Sequence, residues 1–582
     1  MILVMATMMA ALEVLGVVSV MPFLSVLGNP EIVKSNDVLS SAYAYLDFPS
    51  VDSFLLVLGV FSFMFILVSA GFRMLTHYAM NRFIESRRHA IGTRLLETYL
   101  RQPYAFFLNR HSSDMAKSIL SETDLVTNNT LRPAMDLVAY TVVLLSMIIL
   151  VMLVDPKVAF IVIAILGGVY ALIYLGVRGV LGRIGRNRLK ANKERFTAAG
   201  EALGGIKSIK LLGRESVYRQ LFRRPSARFA RYQATSQTLS QVPNFLVEAV
   251  ALGGIIALTL ALLGTRGGAA DGQLGEILPL LGVYAFAGLR MKPAAQKIYS
   301  AFAKLRFGAS ALDSICEDLV QRSALAEIRA PVGEPLRPQK TIALQDVHYT
   351  YPNAKGQALT GINMEIPVST SIGLVGSTGA GKTTMVDVLL GLLRPSQGHI
   401  SVDGIPVTDD KLRAWQHALG YVPQDIFLTD STVSENIALG VPRDQIDRDQ
   451  VERCARMAQV HDFIVNEMPD GYDTMVGERG VRLSGGQRQR IGIARALYHD
   501  PQVLIFDEAT SALDNLTEQA VMQAVRNLSH QKTIILIAHR LSTVRDCDCI
   551  YMLEKGRVAG SGSYAELSAS NKQFQDMEKA VR

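Results

Sequence analysis

The chain is short of charge. Only 19% of its 582 residues are Asp, Glu, Lys or Arg, while 49% are hydrophobic. A water-soluble protein carries nearer a quarter charged residues, so the composition suggests a chain partly in lipid and partly in water. The length excludes one compact core and calls for at least two domains. Cysteine is also scarce. Cys316, Cys454, Cys547 and Cys549 all fall in the C-terminal half, and none has the paired spacing of a zinc site. A disulfide framework is therefore not expected, and reduced thiols in a cytosolic domain are. The opening run MILVMATMMAALEVLG lacks the basic flank of a cleavable signal. It is expected to stay as a membrane helix, with a short leader missing ahead of it.

What is present begins with long apolar runs. A helix needs roughly 20 apolar residues to cross the hydrocarbon layer. Six stretches qualify: 1–25, 54–80, 133–154, 158–178, 245–264 and 276–298. Arg290 and Lys292 interrupt the last, and only Asp155-Pro156-Lys157 joins the third to the fourth. The net charge of +7 matters through its placement. Connection 81–132 carries Arg82, Arg87, Arg88, Arg94, Arg101 and Arg110, and connection 179–244 carries Arg183, Arg186, Arg188, Lys190, Lys193 and Arg195. The opposite loops hold little beyond Lys34 and Arg266. Basic residues mark the cytoplasmic side, so both termini are expected inside. Orientation accounts for these runs fully, and nucleic acid is not expected as a partner. Both basic connections are rich in helix formers, so the membrane helices are expected to continue into the cytoplasm.

Residues 331–338 read as a linker, after which strands and helices alternate as in an α/β domain. The boundaries expected are 1–320 for an all-α transmembrane domain, 321–340 for the linker and 341–582 for an α/β P-loop NTPase domain. Within the last, Gly376-Ser377-Thr378-Gly379-Ala380-Gly381-Lys382-Thr383 is a full G-x-x-x-x-G-K-[ST] between an apolar strand and a helix that continues with Thr384. The glycines let backbone N–H groups face phosphate oxygens, and the helix N-terminus adds a favourable dipole. Lys382 is expected on the β- and γ-phosphates and Thr383 on Mg²⁺.

A second constellation, VLIFDEAT at 503–510, is an apolar strand ending in Asp507 and Glu508. Asp507 is expected to hold Mg²⁺ through water, and Glu508 to polarise the attacking water. Phosphoryl transfer needs mostly positioning and charge neutralisation, so few groups suffice. Between the two lies Leu483-Ser484-Gly485-Gly486-Gln487, which resembles the signature of ABC transporter ATPase domains. That resemblance extends over roughly 340–570. It implies that Tyr351 stacks on adenine, that Gln424 is the Q-loop glutamine sensing Mg²⁺ and the transmembrane domain, and that 477–480 is the short loop before the signature found in exporters. It likewise implies that Asp514 belongs to the D-loop and that His539 is the switch histidine contacting the γ-phosphate.

In that family the signature of one domain closes over ATP on the P-loop of another. The chain has one of each, both intact, so the resemblance implies a symmetric homodimer with two ATP sites. Six helices before one ATPase domain resemble an exporter-type half-transporter. The segment 102–107 is similar to the first coupling region of that class, and 205–216 to the stretch leading into the second. LEVLGVVSVMPFLSVL and FAGLRMKPA look like the subgroup that flips lipid-linked oligosaccharides, which implies a polyprenyl-pyrophosphate glycan as cargo; a bacterial inner membrane is expected because no eukaryotic targeting presequence is read. Arg73, Arg290 and Lys292 are the cations placed to grip an anionic head group, since a charge near mid-bilayer usually faces a partner, a cavity or water. Arg73 near the inner leaflet can also snorkel to the interface. Glu13 is expected either to pair with one of these arginines or to be neutral. A general exporter of drugs or apolar lipids is the alternative. An ATP-gated channel or slow regulator is less expected, because Glu508 and His539 are both present.

Overall fold

The computed structural model describes residues 1–28, 30–154, 156–265, 274–323, 334–352, 354, 356–477, 480–508, 518–519, 523, 531–538 and 540–581. Asp514 and His539 lie outside the described residues, as do two of the four residues at 477–480. Two compact units are present: Met1–Gln102 with Arg110–Ala326, and Pro103–Asn109 with Glu327–Arg582.

The first unit is built on six long helices: α1 Ile2–Gly28, α2 Val51–Leu100, α3 Arg132–Val154, α4 Pro156–Gly204, α5 Glu215–Thr265 and α6 Leu274–Ser323. At 1.5 Å per residue, the 50 residues of α2 span roughly 75 Å, more than twice the ~30 Å hydrocarbon layer. Four of the six apolar stretches read from sequence, 54–80, 158–178, 245–264 and 276–298, lie inside much longer helices, whereas 1–25 and 133–154 nearly fill α1 and α3. Among the described residues, Ile2–Gly28, Val51–Leu100 and Ser112–Leu153 are long and apolar enough to cross a membrane. Where α1, α2, α3 and α6 meet, the buried residues are mostly small: Ala6, Ala10, Ala139 and Ala294, with Met9, Met80 and Val143. Lipid is as apolar as leucine, so such helices hold together by close backbone approach rather than by hydrophobic exclusion.

The approach to α3 is irregular. Two π-helical turns, Ser118–Glu122 and Thr127–Leu131, flank the single α-turn Thr123–Val126. Glu122 sits in the first of them, buried, and accepts from Arg188 at 2.7 Å and from Asn192 Nδ2 at 2.7 Å. The Arg188–Glu122 side chains are only 3% and 1% exposed, so breaking the pair from one side would strand a buried charge. Some of the basic residues in the two long connections thus have structural partners besides marking orientation. Both segments that resemble coupling regions contain short helices, Tyr104–Leu108 and Ile206–Leu212.

The second unit holds two sheets. An antiparallel one runs β2-β1-β4-β5, from β1 Thr341–Tyr349, β2 Leu359–Pro367, β4 Gln397–Val402 and β5 Ile405–Pro406. The larger runs β10-β9-β3-β8-β7-β6. It comprises β3 Ser371–Gly376, β6 Leu419–Val422, β7 Val503–Asp507, β8 Thr533–Ile537, β9 Cys549–Glu554 and β10 Arg557–Gly562. In it β6, β7, β8, β3 and β9 run parallel to one another, and β10 is antiparallel to β9. Every residue of β7 and β8 is buried, which explains their unbroken apolar runs: a central parallel strand is covered on both faces. Helix α7, Lys382–Leu389, follows β3, and α8 spans Gly485–Leu497. Ala105, in the short helix Tyr104–Leu108, packs against the apolar cluster of Leu374, Met385 and Ile505.

Candidate active site

In an open parallel sheet the ligand crevice forms beyond the carboxyl ends of the strands. Here β3 ends at Gly376, β7 at Asp507 and β6 at Val422, two residues before Gln424. Three motifs far apart in sequence are thereby delivered to one edge, and His539 lies two residues past the end of β8 in sequence.

The loop from Gly376 to Gly381 has the geometry of an anion cradle. Gly381 takes φ +103° as the N-cap of α7, with no side-chain acceptor covering the helix N-terminus. The first N–H groups of a helix have no intrahelical partner, so they face outward as donors. At Gly376, φ +153°, a Cβ would come within 2.3 Å of the Leu553 carbonyl oxygen. Lys382 is 6% exposed, and its Nζ curls back to donate to the carbonyls of Gly376 at 2.8 Å and Ser377 at 3.3 Å. Burial lowers the Lys382 pKa, while Glu508 and Asp507 pull it upward. Thr383 is exposed on the first turn, whereas Thr384 is buried and its Oγ1 lies 3.0 Å from the Tyr351 hydroxyl. Tyr351 also packs edge-on against Tyr349, ring centroids 5.0 Å apart. The structure thus brings the aromatic and the P-loop helix together.

Asp507 is buried, and its Oδ2 accepts from the Tyr421 hydroxyl at 3.3 Å. Glu508 has φ +49°, in the left-handed region, and its N–H donates to Ile537 O at 3.1 Å. A non-glycine residue there costs on the order of 1–3 kcal/mol and persists where surrounding structure enforces it. Gln424 Nε2 donates to Glu508 Oε2 at 2.7 Å, joining two sequence-predicted residues 84 positions apart. Ser484 is the N-cap of α8. Its Oγ accepts from Gln487 N, and Gln487 Oε1 accepts from Ser484 N, a reciprocal capping box. This holds the backbone of Gly485 and Gly486 at a helix start with no Cβ over it.

Mg²⁺ suits these donors by chemistry: a hydroxyl (Thr383), an amide oxygen (Gln424) and a buried carboxylate (Asp507) are all hard oxygen ligands. Among the described residues no three His, Cys, Asp or Glu side chains gather to hold a metal by themselves.

Sequence reading passed over Asp387, on α7. Burial first, and then the nearby Asp507 carboxylate, push its pKa up to about 6. A raised carboxyl retains in the folded state a proton that the unfolded chain has already lost, so stability falls as pH rises from about 4 to about 6 and stays lower above. Asp387→Asn is expected to remove that slope. Thermal unfolding without nucleotide should then be higher in the variant at pH 7.5, by roughly 1–2 kcal/mol after solvent screening, with the gap closing near pH 4.

The membrane cations divide. Arg73 lies 3.6 Å from buried Glu13, one of the two outcomes expected for that acid, and Lys292 lies 2.7 Å from Glu248. Arg290 is half-buried and has no ion-pair partner among the described residues.

A membrane unit of long helices joined to a P-loop sheet with signature helix defines the class, and the chain belongs to the ABC transporter family. The family model for the ABC transporter transmembrane region matches residues 3–269, and that for the ABC transporter itself matches 359–511. The chain is therefore an integral, multi-pass membrane protein whose ATP-binding domain is a transport ATPase. Over 494 residues it is 30% identical to the ATP-dependent lipid A-core flippase of Cupriavidus metallidurans, covering 82% of this chain and 79% of that one. Over 239 residues it is 43% identical to the beta-(1→2)glucan export ATP-binding/permease protein NdvA of Brucella abortus, covering 41% and 39%. A bacterial Atm1-family ABC exporter with ATP bound superposes with a TM-score of 0.81 at 24% identity, over 100% of this chain and 98% of that one. The last likeness establishes the exporter fold.

Proposed function

We propose that the chain moves an anionic lipid, a polyprenyl-pyrophosphate-linked oligosaccharide, across a bacterial inner membrane, as a homodimer driven by Mg²⁺-ATP. The observation that carries this reading is Arg290. It is a half-buried guanidinium inside the apolar stretch 276–298, without an ion-pair partner among the described residues, whereas Arg73 and Lys292 already have acids beside them. An arginine kept in such a place is stabilised by a bidentate anion such as a pyrophosphate. The names of the relatives point the same way, one to a lipid cargo and another to a glucan. Residues 1–320 form the transmembrane domain and 341–582 the ATPase in this reading, with the linker at 321–340 and both termini cytoplasmic.

In the ATPase, Lys382 and the N-terminus of α7 hold the phosphates, Tyr351 faces the base, and Glu508, oriented by Gln424, takes the proton of the attacking water. Mg²⁺, held through Thr383, Gln424 and Asp507, would neutralise charge between the phosphates. Ser484 to Gln487 close over the nucleotide of the second copy, His539 contacts the γ-phosphate held by its own P-loop, and Asp514 belongs to the D-loop.

A second reading, an exporter of apolar lipids or drugs, has one observation in its favour. A cavity of about 380 Å³ between α3, α4 and α6 is lined by apolar side chains with Tyr170, Tyr174, Tyr299 and Phe302. ATP turnover in lipid nanodiscs separates the two. A polyprenyl-pyrophosphate oligosaccharide should stimulate turnover saturably, and Arg290→Ala should raise the half-stimulating concentration by about tenfold or more. Stimulation by apolar drugs, and none by the glycan lipid, would replace the first reading with the second.

A further inference from the structure

Arg290, Lys297 and Lys304 are spaced seven residues apart on α6. Seven residues turn an α-helix by about 700°, some 20° short of two full turns. The three cations therefore issue from one stripe of α6 about 21 Å long. Its upper end lies within the apolar stretch 276–298, and its lower end beyond it.

At that lower end Lys304 lines a second cavity, of about 550 Å³, between α5, α6 and the turn leading into α3. Its lining is unlike that of the apolar cavity: five Asn and Gln amides, three serine hydroxyls, Arg132 and Lys304, with no acidic, aliphatic or aromatic side chain. Small-molecule sites of this size are ordinarily lined by apolar residues around a few polar ones. A wall of amides and hydroxyls with two cations instead matches an occupant that is polyhydroxylated and anionic. Arg132 is held in place by Asn81 Oδ1 at 2.7 Å and Glu85 at 3.4 Å. Burial, with Lys297 and Arg132 nearby and Asp136 opposing, lowers the Lys304 pKa, and an anion beside it would offset that.

We infer that this cavity binds a glycosyl-phosphate group, and that the Arg290–Lys297–Lys304 stripe carries its phosphate along α6 toward the membrane interior. The inference rests on the glycan-lipid reading for the source of that group, but the cavity's chemistry would equally admit a free sugar phosphate. The full chain in nanodiscs distinguishes these. Calorimetric binding of N-acetylglucosamine 1-phosphate is measured beside ATP turnover with polyprenyl phosphate and with the polyprenyl-pyrophosphate oligosaccharide. Gln237→Leu and Lys304→Met are each expected to weaken binding of the soluble probe by about tenfold or more, and Lys304→Arg to restore most of it. The half-stimulating concentration of the glycan lipid should rise in parallel, while the sugarless polyprenyl phosphate, lacking the group the amides contact, should not respond to Gln237→Leu. Soluble-probe binding that is lost in the variants, with no lipid stimulating turnover, keeps the cavity and removes the lipid as its source. If the glycan lipid stimulates turnover but the soluble probe fails to bind and neither variant shifts the lipid response, the cavity assignment is wrong and the transport reading stands.

Discussion

Glu508→Gln is expected to reduce ATP turnover by roughly 10²–10⁴-fold, the usual range for a positioned general base, while ATP affinity stays within a few-fold. The substitution keeps the size of the side chain and an oxygen that can still accept from Gln424 Nε2, whose bond to Glu508 is 2.7 Å in the parent chain. The left-handed backbone at Glu508 is not disturbed either, since both residues meet the same steric cost there. What is lost is the capacity to take a proton. Phosphate release and equilibrium nucleotide binding, measured on the same preparation, check this. Retained hydrolysis would remove Glu508 from the base role, and lost binding would make its role structural. Gln424→Ala is a useful companion, because it removes that one hydrogen bond while leaving the carboxylate able to accept a proton.

Lys382→Ala acts one step earlier and should weaken ATP binding by about 10²-fold. A charge-assisted hydrogen bond contributes on the order of 1.5–3 kcal/mol, and this ammonium has two carbonyls in the loop, at 2.8 and 3.3 Å, from which it can swing to phosphate oxygens. Lys382→Arg should not restore affinity, because the side chain is 6% exposed and a planar guanidinium does not fit a cradle shaped around a point charge. Nucleotide affinity by fluorescence titration measures both variants. Near-normal ATP affinity in Lys382→Ala would mean that the backbone donors of α7 hold the phosphates unaided.

These two residues stand in contiguous motifs whose spacing is fixed by backbone geometry, and for that reason they could be read from sequence. The α/β class, the P-loop, the strand ending in Asp507 and Glu508, and the membrane stretches were legible on the same ground. Interactions between distant segments were not. Nothing local in the sequence announces that Tyr421 bonds Asp507, or that Asp387 is buried, beside Asp507, so that its pKa rises. The pairing of Glu13 with Arg73 could be offered only as one of two outcomes, because it depends on how α1 lies against α2. Sequence places Lys292 with Arg73 and Arg290 as a cation for an anionic head group and gives no sign of its partner, Glu248, which is 44 residues away on α5. The seven-residue spacing of Arg290, Lys297 and Lys304 was present in the sequence. It acquires meaning only once Lys304 is found in the wall of a polar cavity.

The paired π turns before α3 bear on how this segment tolerates change in length. A π turn is an α-helix with one residue inserted, and each insertion advances the angular phase by about 100°. Two of them within 14 residues, Ser118–Glu122 and Thr127–Leu131, add up to more than half a revolution. Deleting a single residue between 118 and 131 would therefore leave the composition almost untouched, yet rotate the face that Glu122 presents to Arg188 and Asn192. A one-residue gap here should be far more damaging than a point substitution at most of the same positions, and restoring function should require a compensating insertion rather than a new side chain.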